Sequence, residues 1–550
     1  MTRTNLFAAA VCAALASCGQ QETTSGPEAG TITADDLARH IEILASDAFG
    51  GRGPASPGEE KTTAYLKDEF ERLGLKPANG DSFFQAVPLV EITADPDTSI
   101  KVTGGSKPLE LAYSDDAMVW TTRVVDQVAV ENSDMVFVGY GVVAPEYGWD
   151  DYAGLDVEGK TVVILVNDPG YATQDPALFN GNTMTYYGRW DYKFEEAARQ
   201  GAAAALIVHE TRPAAYPWEV VTGSWSGPQF DLVRADKNMS RVAVEGWINR
   251  KATEALFAQA SLDFDAMKAA ALKKDFKAVS LGLKASVSVR NSLRETISNN
   301  VVAVLPGADR PDEYLIYMAH WDHLGADPAI EGDGIYNGAL DNASGVAALL
   351  ELAEAFASLE DGPGRSVIFA AVTAEEQGLL GSAHYANDPL APLAQTVAGI
   401  NMDGLSNIGR TREITVVGHG MSELESFLEE AAAGQGREVR PEPFPEKGYY
   451  YRSDHFNLAK KGVPMLYTEA GVDSIEHGAE WGKAQADKYL AERYHKPADE
   501  FDDSWDLSGG VEDVKLFLDV GLKIANGTGW PNWNEGTEFR AIRNASRAGE

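Results

Sequence analysis

From Asn299 to about Asn526, short apolar runs alternate with amphipathic stretches, and this alternation limits the fold more than any other feature of the chain. "NNVVAVLPG", "EYLIYMAH", "SVIFAAVTAEE", "TVAGINMDG", "EITVVGH" and "VPMLYTEAG" each have the length and composition of a buried strand. "GVAALLELAEAFASL" and "ELESFLEEAAAGQG" lie between them with their apolar residues at helical spacing. Strands that do not alternate with polar residues must be covered on both faces. The pattern therefore predicts an α/β fold, a mostly parallel mixed sheet sandwiched by helices. In such folds ligands gather outside the carboxyl ends of the strands.

Two other styles come before it, as expected of a chain of 550 residues, which is too long for one ordinary core. "TADD" reads as a capping box at Thr33 and Asp36, followed by Leu37, Ile41 and Leu44 on one helical face. A second helix has Pro57 near its start and Tyr65, Leu66, Phe70 and Leu73 as its buried stripe; Gly74 and Pro77 end it. From Asp116 to about Arg290 the chain turns to short β-branched runs such as "KTVVILV", with one helix leading into a strand, "KFEEAARQGAAAALIVHE". This reads as a separate α+β module in which His209 is structural. The expected partition is 33–115 for the N-terminal part of the main domain, 116–290 for an insertion, 291–530 for the site-bearing part, and 531–550 for a tail whose "EFRAIRNASRAGE" reads as disordered.

The N-terminus reads as an export signal: Arg3 gives a basic start, Leu6 to Leu15 an apolar stretch, and small residues precede Cys18. "LASC" is similar to the bacterial lipobox, so residues 1–18 are expected to be a lipoprotein signal, with Cys18 carrying lipid. Residues 19–32 would then be a polar tether holding the protein on the order of 20 Å from the bilayer. Cys12 leaves with the signal, and no cysteine remains for a disulfide. The expected location is the periplasm or cell surface, anchored to the membrane through lipid. A formal net charge of −37 repels nucleic acid.

The strand ends carry the chemistry. "EYLIYMAHWDHLG" ends an apolar run in His320, Asp322 and His323; other strands end at Glu375 and Glu376 and at Asp403. Asp341 opens a helix, and "YHKPAD" offers His495. Two histidines and three carboxylates, one of them shared, suit two zinc ions side by side. Asp322, two residues from His320 on extended chain, falls on the same face and is expected to accept the other imidazole N–H. Neighbouring residues of a regular strand point to opposite faces, so Glu375 and Glu376 share a site only where the strand stops. One of them then binds metal while the other takes a proton from water. His323, His384, His419 and His477 read as caps or solvated residues, and His455 falls between pocket wall and structural residue.

"AHWDHLG", "GALDNASGVA", "TAEEQGLLGS", "INMDG" and "YHKPADE" are similar, motif by motif, to the M28 family of zinc metallopeptidases, and "DAFGGRGPASPGEEKTTAYLKDEFERLGLKP" resembles its usual opening. The resemblance implies the zinc exopeptidase fold, with the insertion as a protease-associated (PA) domain. It implies that His320 and Asp403 hold one Zn2+ and Glu376 and His495 the other, with Asp341 bridging. Glu375 would be the general base, Asp322 the orienting residue and Tyr494 an oxyanion donor, and a cis peptide would follow Asp341. The segment "YYYRSDHF" lines the specificity pocket in relatives, which makes Tyr451, Arg452, Ser453, Asp454 and His455 candidates for substrate contact. The implied activity is removal of N-terminal residues from peptides. A carboxypeptidase or dipeptidase using Arg452, a glutaminyl cyclase and a non-catalytic peptide-binding receptor are the rivals.

Overall fold

A computed structural model describes residues 32–95 and 98–548. The expected signal, lipid-bearing Cys18 and nearly all of the tether lie outside these residues. Among the described residues, no helix is long and apolar enough to cross a membrane.

The main sheet has four parallel strands at its centre, in the order Arg365–Val372, Arg310–His320, Thr396–Asn401, Met465–Glu469. Antiparallel strands flank this centre: Val279–Leu305 and then Phe84–Ala94 on one side, Glu413–Val416 on the other. Three of the central strands are buried along almost their whole length and Arg310–His320 is buried from Leu315 onward, and period-two geometry divides the buried side chains between two cores. Leu315, Tyr317 and Phe369 pack with helices Ala34–Leu44, Ser344–Ala357 and Ser508–Asn526 on one face. Ile316, Met318 and Ile368 belong to the core on the other face, with Tyr385 and Phe456. The mostly parallel, doubly covered sheet expected from the sequence is therefore present.

Local signals act as read. Thr33 Oγ1 accepts the Asp36 N–H at 3.2 Å and donates to the Asp36 carboxylate at 2.6 Å. Pro57 opens the helix Pro57–Arg72 behind Ser56 as N-cap.

A second sheet contains parallel strands Gln127–Phe137, Thr161–Leu165, Ala204–His209 and Val244–Asn249. Ile100–Thr103 already belongs to it, ahead of the expected boundary at residue 116. The boundary at 290/291 falls inside a single strand, Val279–Leu305. Its first half pairs with Gln127–Phe137 and its second with Phe84–Ala94, so one continuous strand joins the two sheets. The change of sequence style at residue 290 falls where the strand changes partners.

The C-terminal segment is helical, not disordered: Arg540–Arg547 forms a helix. Arg543 is buried and donates to the carbonyls of Thr396 and Val397 at 2.9 and 3.3 Å. The charge that suggested a solvated tail instead satisfies backbone acceptors at the start of a central strand.

Candidate metal centre

His320 is the last residue of its strand, and the chain turns immediately after it. Its Nδ1–H donates to the carbonyl of Asp322 at 3.1 Å, leaving the Nε2 lone pair free. Nε2 faces Asp403 Oδ1 at 3.2 Å and Asp341 Oδ1 at 3.4 Å. The other Asp341 oxygen, Oδ2, lies 3.2 Å from His495 Nε2, and Glu376 Oε2 closes that half at 3.1 Å.

Asp341 is held from several sides. The cis peptide expected after it is present. Its N–H and that of Leu340 donate to the Asp499 carboxylate at 3.1 and 3.2 Å. Asn342 Oδ1 accepts from Gly345 and Gly404 at 3.0 and 2.9 Å, which ties this turn to the segment carrying Asp403. Asp403 Oδ2 accepts the Ser453 hydroxyl at 2.7 Å.

Glu375 and Glu376 lie beyond the end of their strand at Val372, and Ala374, at φ +53°, turns the chain. Both glutamates reach one site because pleat alternation has already ended. Their amide N–H groups donate to the Asp322 carboxylate, Glu375 to Oδ1 at 3.1 Å and Glu376 to Oδ2 at 3.4 Å. This corrects the expectation for Asp322. Its carboxylate stands 3.8 Å from His320 Nδ1 and clamps the acidic turn, while its carbonyl orients the imidazole. The same-face argument fails because the extended chain ends at His320.

Burial and the close imidazole–carboxylate pairs compete in setting the electrostatics. Burial alone would lower the His495 imidazole, but Asp341 and Glu376 raise it to about 10. Burial drives the Glu375 carboxyl well above the usual range, with Asp403 and Glu376 adding to the rise against the pull of His320.

The donor set suits a borderline cation. Nitrogen and oxygen ligands about 2.0–2.2 Å from a tetrahedral zinc stand roughly 3.3 Å apart, and the imidazole–carboxylate spacings are 3.1–3.4 Å. The ligating atoms of His320, Asp341 and Asp403 lie within 4.8 Å of one another, as do those of His323, Asp341 and Glu376.

Three residues of the centre escaped sequence reasoning. His323, read as a bland strand-end residue, is buried with Nδ1 2.5 Å from Glu376 Oε1. Asp499 was unassigned. Arg52 is 1% exposed and donates to the carbonyls of Leu44, Trp321, Asn337 and Gly338, so it fastens the segments leading out of His320 and into Asp341. Burial lowers its pKa to about 10 against the pull of Asp341 and Asp499. The only signal was its place in "GGRG". His209 behaves as a structural histidine, bonded to the Tyr216 carbonyl at 3.0 Å.

The centre opens into a cleft of about 1420 Å³ lined by Glu375, Asp403, Tyr494 and His495 on one side and by Trp120 and Arg189 of the second sheet's region on the other. The Tyr494 ring stacks on His495 at 3.9 Å. Tyr451 and Arg452 reach the cleft wall. Ser453, Asp454 and His455, expected to contact substrate, do not line it. Ser453 supports Asp403 from behind, while Asp454 and His455 are 0% exposed, at the start of the short helix His455–Ala459 that packs beneath the sheet. The turn into that helix carries them inward.

Residues 300–517 match Peptidase family M28. The chain is similar to a Mus musculus protein named Aminopeptidase NAALADL1, 39% identical over 127 residues that cover 22% of this chain and 16% of that one. It is also similar to a Pyrenophora teres f. teres protein named Probable zinc metalloprotease, 40% identical over 107 residues, 20% of this chain and 22% of that one. The matched part thus spans less than a quarter of these relatives' length. Among solved structures, an aminopeptidase from Aneurinibacillus sp. strain AM-1 superposes with a TM-score of 0.48 at 20% identity, covering 91% of this chain and 96% of that one.

Proposed function

We propose, from the match of residues 300–517 to Peptidase family M28, that the chain is an exported zinc-dependent aminopeptidase that removes N-terminal residues from peptides. His320 and Asp403 would hold one ion, Glu376 and His495 the other, and Asp341 both. The observation that carries this reading is the split of the Asp341 carboxylate, one oxygen 3.4 Å from His320 and the other 3.2 Å from His495. When bound, such a pair lowers the pKa of water and polarises a carbonyl.

The chain's own groups do the rest. Glu375 takes the proton of the attacking water and delivers it to the leaving amine. Burial keeps the Tyr494 phenol above its usual range, so its hydroxyl stays a donor to the carbonyl oxygen as negative charge develops there. Asp322 fixes Glu375 and Glu376 through their amides, and Arg52 and Asp499 fix the two turns beside them. The acidic rim of the cleft attracts a free α-amino group. Export through the N-terminal signal, lipid on Cys18 and a PA-type insertion belong to the same reading.

The test is hydrolysis of amino-acid p-nitroanilides beside N-blocked peptides with free C-termini, before and after chelation, with Glu375→Ala as control. Release from the free-amine substrates, abolished by chelator and by the substitution, supports the reading. Cleavage of the blocked peptides alone moves it to a carboxypeptidase. Full zinc loading with neither cleaved sinks both.

A further inference from the structure

The inserted region sends one strand, Pro228–Leu232, into the main sheet, where it pairs antiparallel with Phe84–Ala94 and, among the described residues, with no other strand. Its other edge is open, and the register shows which groups stand on it. Val233 donates its N–H to the Pro88 carbonyl at 2.9 Å. Bonded and non-bonded pairs alternate along an antiparallel ladder, so Asp231 and Gln229, opposite Val90 and Ile92, also turn their backbone groups inward. Phe230 and Leu232 therefore turn theirs outward. Leu232 is covered there: its N–H donates to Asp231 Oδ1 at 2.7 Å and its carbonyl accepts from Asn238 Nδ2 at 3.1 Å. Pro228 has no N–H, and its carbonyl takes the Gln229 side-chain amide at 3.0 Å. Phe230 is left uncovered, with no hydrogen-bond partner for its N–H or its carbonyl among the described residues.

That edge faces the cleft. Phe230 lies on one face of the strand and Gln229 and Asp231 on the other, yet all three line the cleft that holds Asp341, Glu376 and His495, so the edge between the two faces lies in it. Leu232 shares a small core with Ala374 and Leu380, and Phe230 packs against that core, which sets the strand beside the turn carrying Glu375 and Glu376. Native proteins block open sheet edges, and here the outward groups on either side of Phe230 are blocked while its own are not. An N–H and a carbonyl on one residue are the two groups that an extended chain engages in a bonded antiparallel pair. The extended chain that a peptidase cleft brings to this edge is its own substrate. We propose that Phe230 seats the substrate backbone: its N–H donates to a carbonyl, and its carbonyl accepts an N–H, of one residue beyond the scissile bond, so that the peptide adds a strand to the main sheet. This rests on the peptidase reading above and extends it to peptides longer than a dipeptide, held by backbone rather than by side chain. It also gives the inserted region a part in substrate binding.

The test uses the zinc-loaded full chain on Leu-Ala-amide, on Leu-Ala-Ala-Ala-Ala-amide, and on three versions of that pentapeptide N-methylated at the third, fourth or fifth residue. The pentapeptide should have a kcat/KM about fivefold to a hundredfold above that of Leu-Ala-amide, the span of two backbone hydrogen bonds. N-methylation at one position should cost about fivefold to tenfold and at the other two less than about twofold, because successive N–H groups of a strand point to opposite sides. Phe230→Pro removes the outward donor and none of the bonds to Phe84–Ala94. In it the ratio of pentapeptide to Leu-Ala-amide kcat/KM should fall about fivefold. Equal rates for the two lengths, equal losses at all three positions, or an unchanged ratio in folded Phe230→Pro would overturn the proposal. If that variant does not fold, the N-methyl series on the unsubstituted chain decides by itself. Calorimetry of the four pentapeptides on the zinc-loaded Glu375→Ala chain separates the two readings. Binding weakened by N-methylation at one position, with no hydrolysis by the active chain, leaves the strand seat standing and sinks the peptidase; equal binding of all four, with hydrolysis retained, sinks the seat alone.

Discussion

The two halves of the candidate metal centre are built differently. His320 closes a central strand, its side chain is 1% exposed, and the Asp322 carbonyl fixes its tautomer. His495 sits at φ +55° in a loop after the helix Ala479–Glu492, of whose residues only Gly482 is buried, and its side chain is 38% exposed. Asp341 belongs to both. The contrast teaches that one position is an outgrowth of the sheet's packing and the other is brought to it by a surface segment. A site on a core strand is held more firmly than one on a loop.

Breaking the buried half should cost most. His320→Ala is expected to lower kcat/KM by at least about a thousandfold and to leave one zinc per chain, read by steady-state kinetics and elemental analysis. His495→Ala should also leave one zinc per chain, with a loss nearer a hundredfold, because the ion nested against the sheet stays. If His495→Ala empties both positions, the contrast between the halves collapses.

Smaller effects sharpen the comparison. Asp322→Asn keeps the size of the side chain but removes the charge that receives the Glu375 and Glu376 amides. Its kcat/KM should drop about tenfold to a hundredfold with both zincs retained, the scale of a residue supporting a metal site. Mere loss of metal would refute that placement. The least effect at neutral pH belongs to His455→Phe. Burial lowers His455 to about 3 in the folded chain, against about 6.5 unfolded. A depressed folded pKa means that the unfolded chain binds the extra proton, so stability is full above about pH 6.5 and is lost as pH falls towards 3. The variant should flatten that acid limb in chemical denaturation followed from pH 7 to pH 4; an unchanged limb would show that His455 is not held neutral.

How much of this was legible follows the same division. The strand ends of the buried half could be read because apolar runs must stop, and His320, Glu375, Glu376 and Asp403 stand where they do. Asp322 was placed in the right neighbourhood with the wrong contact, since period-two reasoning holds only while the strand continues. Arg52 left no pattern to read, because it acts on backbone carbonyls up to 286 residues away. Asp454 and His455 looked like pocket residues beside Arg452, but a short helix begins there and turns them into the core. Arg543 looked like part of a solvated tail because sequence does not show which charged side chain caps a strand.

Counting zinc during stepwise chelation of the loaded chain, with His495→Ala in parallel, tests the proposed unequal two-ion centre most directly. Two ions per chain, one leaving well before the other, and a single slowly released ion in His495→Ala are the expected result. One ion per fully loaded chain, or two that leave together, would contradict it.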